Sequence, residues 1–142
     1  MVRKIPEKLP KEMQQIADKL KKSKSKEECL KKAYEILSKK YRGYKWRTYT
    51  RIHELFIGDV NKLWQKKGFM HCTNINYLLR IMLIKSGFFE DNDIRPKWTF
   101  VNFTPHQYLR IRLSKNKFVN VDIWGKPYGI KLGNHAQGFN TW

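Results

Sequence analysis

Along the chain the spacing of apolar residues changes once, just after Gly87. Before it they recur every three or four residues, as on helices. In "PKEMQQIADKLKK" (10–22), Met13, Ile16, Ala17 and Leu20 share one face and proline sits at the first turn. "KSKSK" is a solvated break. In "SKEECLKKAYEILSKKY" (25–41), Ser25 is the expected N-cap, Glu28 completes a capping box, and Leu30, Ala33, Tyr34 and Leu37 form the stripe. "IHELFIGDVNKLWQKKG" (52–68) reads as a third helix carrying Leu55, Phe56, Val60, Leu63 and Trp64. A fourth begins at Cys72, with Ile75, Leu78, Leu79, Met82 and Leu83 at helical spacing and Gly87 as the C′ residue. Residues 1–9, with one proline and several charges, read as a frayed lead-in. "RGYKWRTYTRI" (42–52) has no clear period. It is expected to be a loop or edge strand whose rings pack inward while its cationic heads stay wet.

After Gly87 the period becomes two. "DIRPKWTFVNF" (93–103) is rich in β-branched and aromatic residues. "HQYLRIRL" (106–113) alternates Leu109, Ile111 and Leu113 against His106, Tyr108, Arg110 and Arg112. "KFVNVDIW" (117–124) sets Val119, Val121 and Ile123 against Phe118, Asn120, Asp122 and Trp124. A three-residue loop, Ser114-Lys115-Asn116, with Asn116 left-handed, would pair Leu113 with Lys117. That register sets Tyr108 opposite Asp122 and His106 opposite Trp124. His106 and Asp122 are then diagonal neighbours on one face, and the six aliphatic residues share the other. An even loop would split the histidine and the aspartate between faces. The tail from residue 125 is Gly-rich and irregular, and Tyr128, Phe139 and Trp142 are expected to pack over the sheet.

The length, 142 residues with 41% hydrophobic, suits one domain of 1–142 with one core. In it, 1–45 form a helical N-terminal extension and 46–142 the main α+β core. Cys29 and Cys72 are too few for a disulfide framework and suit a reducing compartment. The opening residues hold no signal-peptide run, and no stretch reaches the roughly 20 apolar residues of a membrane span, so a cytoplasmic protein is expected. Against 12 Asp+Glu stand 30 Lys+Arg, a net charge of +18. Such a balance favours nucleic acid, anionic lipid or an acidic protein as partner, although most cations are lysines spread over the N-terminal half.

The chemistry-bearing residues are a thiol at a helix start (Cys72), a histidine opening a strand (His106) and an aspartate in the next strand (Asp122). Nucleophilic thiol catalysis uses that set. The helix N-terminus and a neighbouring imidazolium favour the thiolate, histidine moves the proton, and a carboxylate on the other ring nitrogen fixes the tautomer. A cysteine at a helix start, a leucine run ending "SGF", then "HQYLRIRL" and "FVNVDIW" resemble the transglutaminase-like superfamily over roughly residues 53–125. The resemblance implies a papain-like α+β fold with the cysteine helix packed on an antiparallel sheet. It implies Cys72 as nucleophile, His106 as general base and acid, and Asp122 as orienting group. It further implies a protein or peptide substrate, with water or an amine as acceptor. The superfamily also includes catalytically inactive binding domains.

This chain departs from the family pattern at Met70-His71, where a glycine often stands two residues before the cysteine. The backbone N–H of Cys72 is one oxyanion donor. Gln65, Trp64 and Trp46 are candidates for a side-chain donor, and His135, in "GNHAQGF", is a second candidate base over the cleft. Each residue also has a plainer role open to it. Cys72 and Cys29 can be small buried hydrophobes. His106 can pack at a strand end, and Asp122 can pair with Arg110 or Arg112. His71 is a flank. No spacing matches a structural zinc motif, a calcium loop or a phosphate-binding glycine loop, so no cofactor is called for. The cation–aromatic run 42–51 also fits a non-catalytic module that binds nucleic acid or an acidic partner.

Overall fold

A helix with a broad apolar stripe needs a covered position, and the helix beginning at Cys72 occupies one in which its Asn74, Asn76 and Arg80 are buried too. In the computed structural model, which describes residues 3–138, α1 spans Lys11–Leu20, α2 Lys26–Lys40, α3 Lys45–Thr50, α4 Val60–Gln65 and α5 Cys72–Lys85. Residues 74–83 of α5 are all buried. The α1 stripe (Met13, Ala17, Leu20) and the α2 stripe (Leu30, Ala33, Tyr34, Leu37) pack on α5, and the sheet packs on it through β4. The N-terminal helices therefore share one core with the second half of the chain. Ser25 caps α2 as expected, accepting from the Glu28 N–H at 3.1 Å. Gly87, at φ 82°, follows the Ser86 C-cap of α5.

The sheet is antiparallel in the order β3 (Ile94–Val101), β4 (Thr104–Ser114), β5 (Lys117–Val121). A separate parallel pair of two-residue strands, β1 (Tyr41–Arg42) and β2 (Gly68–Phe69), leads into α5. Leu109 faces Val121 and Ile111 faces Val119, which is the register inferred from the alternation. The turn differs from expectation. Ser114 pairs with Lys117 across a two-residue loop, and an irregularity between Arg112 and Ser114 absorbs the extra residue. Asn116 does not take the left-handed conformation; among the described non-glycine residues only Asn102 and Phe103, in the β3–β4 turn, do so.

Three further expectations are corrected. The third helix is two pieces, a 3-10 turn at Ile52–Phe56 and α4, because Asp59 accepts from the Asn61 N–H at 2.9 Å and starts a new helix. The basic aromatic run contains α3, which buries none of its residues; Trp46 is 65% exposed. That segment is tied to the sheet by polar contacts, with the Lys45 N–H donating to the Tyr128 hydroxyl and the Tyr49 hydroxyl to the Asn102 carbonyl. The lead-in is not frayed at residues 3–9. Tyr77 and Arg80 of α5 donate to the Lys4 and Arg3 carbonyls at 2.9 and 2.7 Å, because these buried donors need acceptors. Phe139 and Trp142 lie outside the described residues. Among those described, no helix is long and apolar enough to cross a membrane.

Candidate active site

Cys72 is the first residue of α5 and is half-buried. The N–H groups of a helix's first turn have no intrahelical acceptors and carry the positive end of the helix dipole. A sulfur there sits where negative charge is favoured. It also accepts from the Gln107 backbone N–H of β4 at 3.4 Å. The preceding His71 is fixed by its own bonds. Its Nε2 lies 2.8 Å from the Arg51 carbonyl and its ring packs edge-on against Phe69, which ties the 45–57 segment to the start of α5. Burial holds His71 below the ordinary histidine pKa.

His106 stands near the start of β4 and Asp122 one residue past β5. Both are buried, and His106 Nε2 lies 2.7 Å from Asp122 Oδ2. Two further donors hold that carboxylate: the Ala136 N–H on Oδ2 at 2.8 Å and the Gly125 N–H on Oδ1 at 3.1 Å. Burial pushes the His106 pKa down. Hydrogen bonds to Asp122 and to Cys72, together with their charges, outweigh it and lift the value to about 9. With Nε2 committed to Asp122, Nδ1 is the nitrogen left for the sulfur. Trp124 covers the imidazole with ring centroids 4.9 Å apart, and is itself seated by the Gly43 N–H on its carbonyl at 3.1 Å. A thiol, an imidazole and a carboxylate are thus brought together, with the histidine and the carboxylate buried and the indole of Trp124 packed on the imidazole.

The plainer role for Asp122 does not apply. Arg112 bonds Asp93 at 2.7 and 2.9 Å, and Arg110 lies over the Phe118 ring. Cys29 is a core residue whose Sγ lies 3.3 Å from Ser86 Oγ, and burial pushes its thiol pKa up.

The structure does not bring every candidate to the thiol. Trp64 is buried against Tyr41 and Lys40, and its indole N–H donates to Glu12 at 3.3 Å. Gln65 ends α4 exposed, without a hydrogen bond to Cys72, and Trp46 faces solvent. His135 stacks flat on Tyr108 at 3.8 Å. Its neighbour Ala136 takes part instead, through a backbone N–H that no side-chain pattern discloses. Gln107 and Gly125 contribute in the same way, and Trp124, which the inferred register sets opposite His106, supplies the ring that covers the imidazole. Among the described residues no group of three or more His, Cys, Asp and Glu could hold a metal ion. No protein-family model matches the chain, and neither does any curated protein or solved structure.

Proposed function

We propose that this chain is a thiol-dependent acyl transferase or amide hydrolase of transglutaminase-like type, acting on a protein or peptide. The observation that supports this best is the buried His106–Asp122 pair facing a cysteine at a helix N-terminus. A buried ion pair is a poor route to stability, since apolar residues of similar volume serve as well or better. Its presence beside a nucleophile has a chemical rationale.

In this reading the Cys72 thiolate attacks the carbonyl carbon of a carboxamide or peptide, and the carbonyl electrons move to oxygen. The Cys72 N–H meets that oxyanion. The oxyanion collapses, the C–N bond breaks, and the His106 imidazolium gives its proton to the departing amine. A thioester remains on Cys72. His106, now neutral, takes a proton from the incoming water or primary amine as it attacks the thioester, and the thiol leaves as thiolate. Asp122 holds the ring's orientation and favours the imidazolium throughout.

The test is alkylation by iodoacetamide between pH 5 and 9, read separately at Cys72 and Cys29 by peptide mass spectrometry. Cys72 is expected to react at pH 6, where Cys29 does not, and to lose that reactivity in His106→Ala. Equal reactivity of Cys72 in wild type and His106→Ala would overturn the reading. A second reading, a non-catalytic module for nucleic acid or an acidic partner, draws on exposed Tyr44, Trp46 and Tyr49 interleaved with Lys45 and Arg47. It expects single-stranded oligonucleotide binding that weakens steeply with salt and with Trp46→Ala.

A further inference from the structure

A groove of about 150 Å³ lies along α5, between that helix and the β3–β4 strands, and begins one residue past Cys72, which does not itself line it. Thr73, next to the nucleophile, and Gln107, whose N–H meets the sulfur, form its near end. Asn76 continues the floor, held by its amide to the Gln107 carbonyl and side-chain oxygen at 3.0 and 3.2 Å. Trp98, 59% exposed, forms a flat apolar wall. Arg3 and Arg80 line the groove as well, and no Asp or Glu does.

The two arginines differ in their partners. Arg80 is answered by Asp91 through its Nε and Nη2 at 2.9 and 2.8 Å, and its Nη1 donates to the Arg3 carbonyl. Arg3 lies over the Tyr77 ring and sends Nη2 to Asn74 Oδ1 at 2.8 Å, a neutral acceptor. Its Nη1 is buried with no acceptor. The groove therefore carries one guanidinium that no carboxylate among the described residues neutralises, together with amide groups and an aromatic wall.

We propose that this groove is the acyl-donor subsite and that it selects a carboxylate a short spacer away from the reacting carbonyl, either an acidic side chain or a chain-terminal carboxylate. The proposal rests on Cys72 being the nucleophile. At 1.5 Å of rise per residue, Asn74 and Tyr77, the α5 residues Arg3 touches, lie about 3 and 7 Å along the helix from Cys72. The favoured carboxylate is accordingly two to five bonds beyond the carbonyl. Burial holds the Arg3 guanidinium below its ordinary pKa, as expected of a cation short of solvation and of a counter-charge.

The test uses thiol reagents of graded reach. N-iodoacetyl-β-alanine and its carboxamide analogue are compared at Cys72 in low salt, each rate divided by that with N-acetylcysteine. The carboxylate reagent is expected to gain about tenfold over the carboxamide, about 1.4 kcal/mol, which lies between the bulk-water and near-surface attractions of unit charges about 4 Å apart. Arg3→Gln should remove most of that ratio, Arg3→Lys should keep it, and Lys32→Gln, an equal charge change on the far surface of α2, should leave it unchanged. The ratio divides out any change in the thiol's own reactivity. An iodoacetyl peptide with a C-terminal carboxylate, set against one with a glutamate side chain and an amidated end, distinguishes the two sources. If Arg3→Gln lowers the ratio no more than Lys32→Gln, the subsite is overturned while the nucleophile stands. If no reagent labels Cys72 faster than Cys29, both fall.

Discussion

Replacing Asp122 by asparagine separates charge from shape at the centre of the candidate site. The carboxylate now accepts three N–H groups, from His106 and Ala136 on one oxygen and from Gly125 on the other. An amide has one oxygen. Its best placement keeps His106 and Ala136 and turns its NH2 toward the Gly125 N–H. That leaves the Gly125 N–H and the new amide NH2 facing each other without acceptors, a cost of about 1–3 kcal/mol in stability for each group. The larger consequence is electrical. Raising His106 from 6.5 to about 9 represents about 3 kcal/mol of preference for the imidazolium, shared between Asp122 and Cys72. Without the carboxylate charge the midpoint should fall by at least one pH unit. At pH 8 the imidazolium share then drops from about nine-tenths to half or less. The assay is a titration of the histidine ring resonances by NMR, with His106 assigned by its disappearance in His106→Gln. Iodoacetamide labelling of Cys72 at pH 8 in the same Asp122→Asn sample should slow in parallel. A folded Asp122→Asn protein whose His106 midpoint stays near 9 would refute the coupling.

The same shift sets a stability window. Because the folded-state pKa of His106 lies above its ordinary value, its contribution is complete below about pH 6.5 and is lost as pH rises through about 9. Urea midpoints of wild type and His106→Gln should therefore differ most at pH 6 and converge by pH 10. Gly43→Ala should destabilise by more than about 3 kcal/mol, since a Cβ there would lie 2.3 Å from the Trp124 carbonyl oxygen and 2.4 Å from its ring. Thermal melting checks this, and a shift under 2 °C would contradict it. Ser25→Ala, far from the site, should cost about 1 kcal/mol by loss of the α2 cap and leave Cys72 labelling unchanged.

What the residue pattern revealed depended on how strongly burial constrains it. The β4–β5 register was legible because a one-residue slip would carry Leu109, Ile111, Val121 and Ile123, all buried, to the other face. The turn was not, because a three-residue loop and a two-residue loop with a bulge leave the same parity beyond it. α3 left no period to read because it buries no face. The break before α4 had a signal, Gly58-Asp59, which the apolar spacing of Leu55, Phe56, Val60 and Leu63 obscured. The three side chains at the candidate site could be named because few residue types do that chemistry. The backbone N–H groups of Gln107, Gly125 and Ala136 could not, because almost every residue has one.

The distribution of buried polar groups bears on why the chain is built this way. Among the described buried polar side chains, His71, Asn74, Asn76 and Arg80 lie between the N-cap and the middle of α5, His106 and Asp122 face its start, Ser86 caps its other end, and Ser23 and Asp93 lie outside it. From Ile81 to Leu83 the helix is entirely apolar. Each polar group on the Cys72 side is answered by a particular partner: Arg51 for His71, Glu54 and Arg3 for Asn74, Gln107 for Asn76, Asp91 for Arg80. A buried polar network whose members have partners fixes geometry, and here one atom, Arg3 Nη1, is left without a partner among the described residues. Stability alone gives no reason to gather polar side chains along the N-terminal half of a helix when the apolar stretch Ile81–Leu83 shows that apolar packing suffices there. A need for fixed geometry around Cys72 does. It also accounts for residues 3–9 and 51–55 being tied to this half of α5, since without them Asn74 and Tyr77 would lose their acceptors and Arg80 would keep only Asp91.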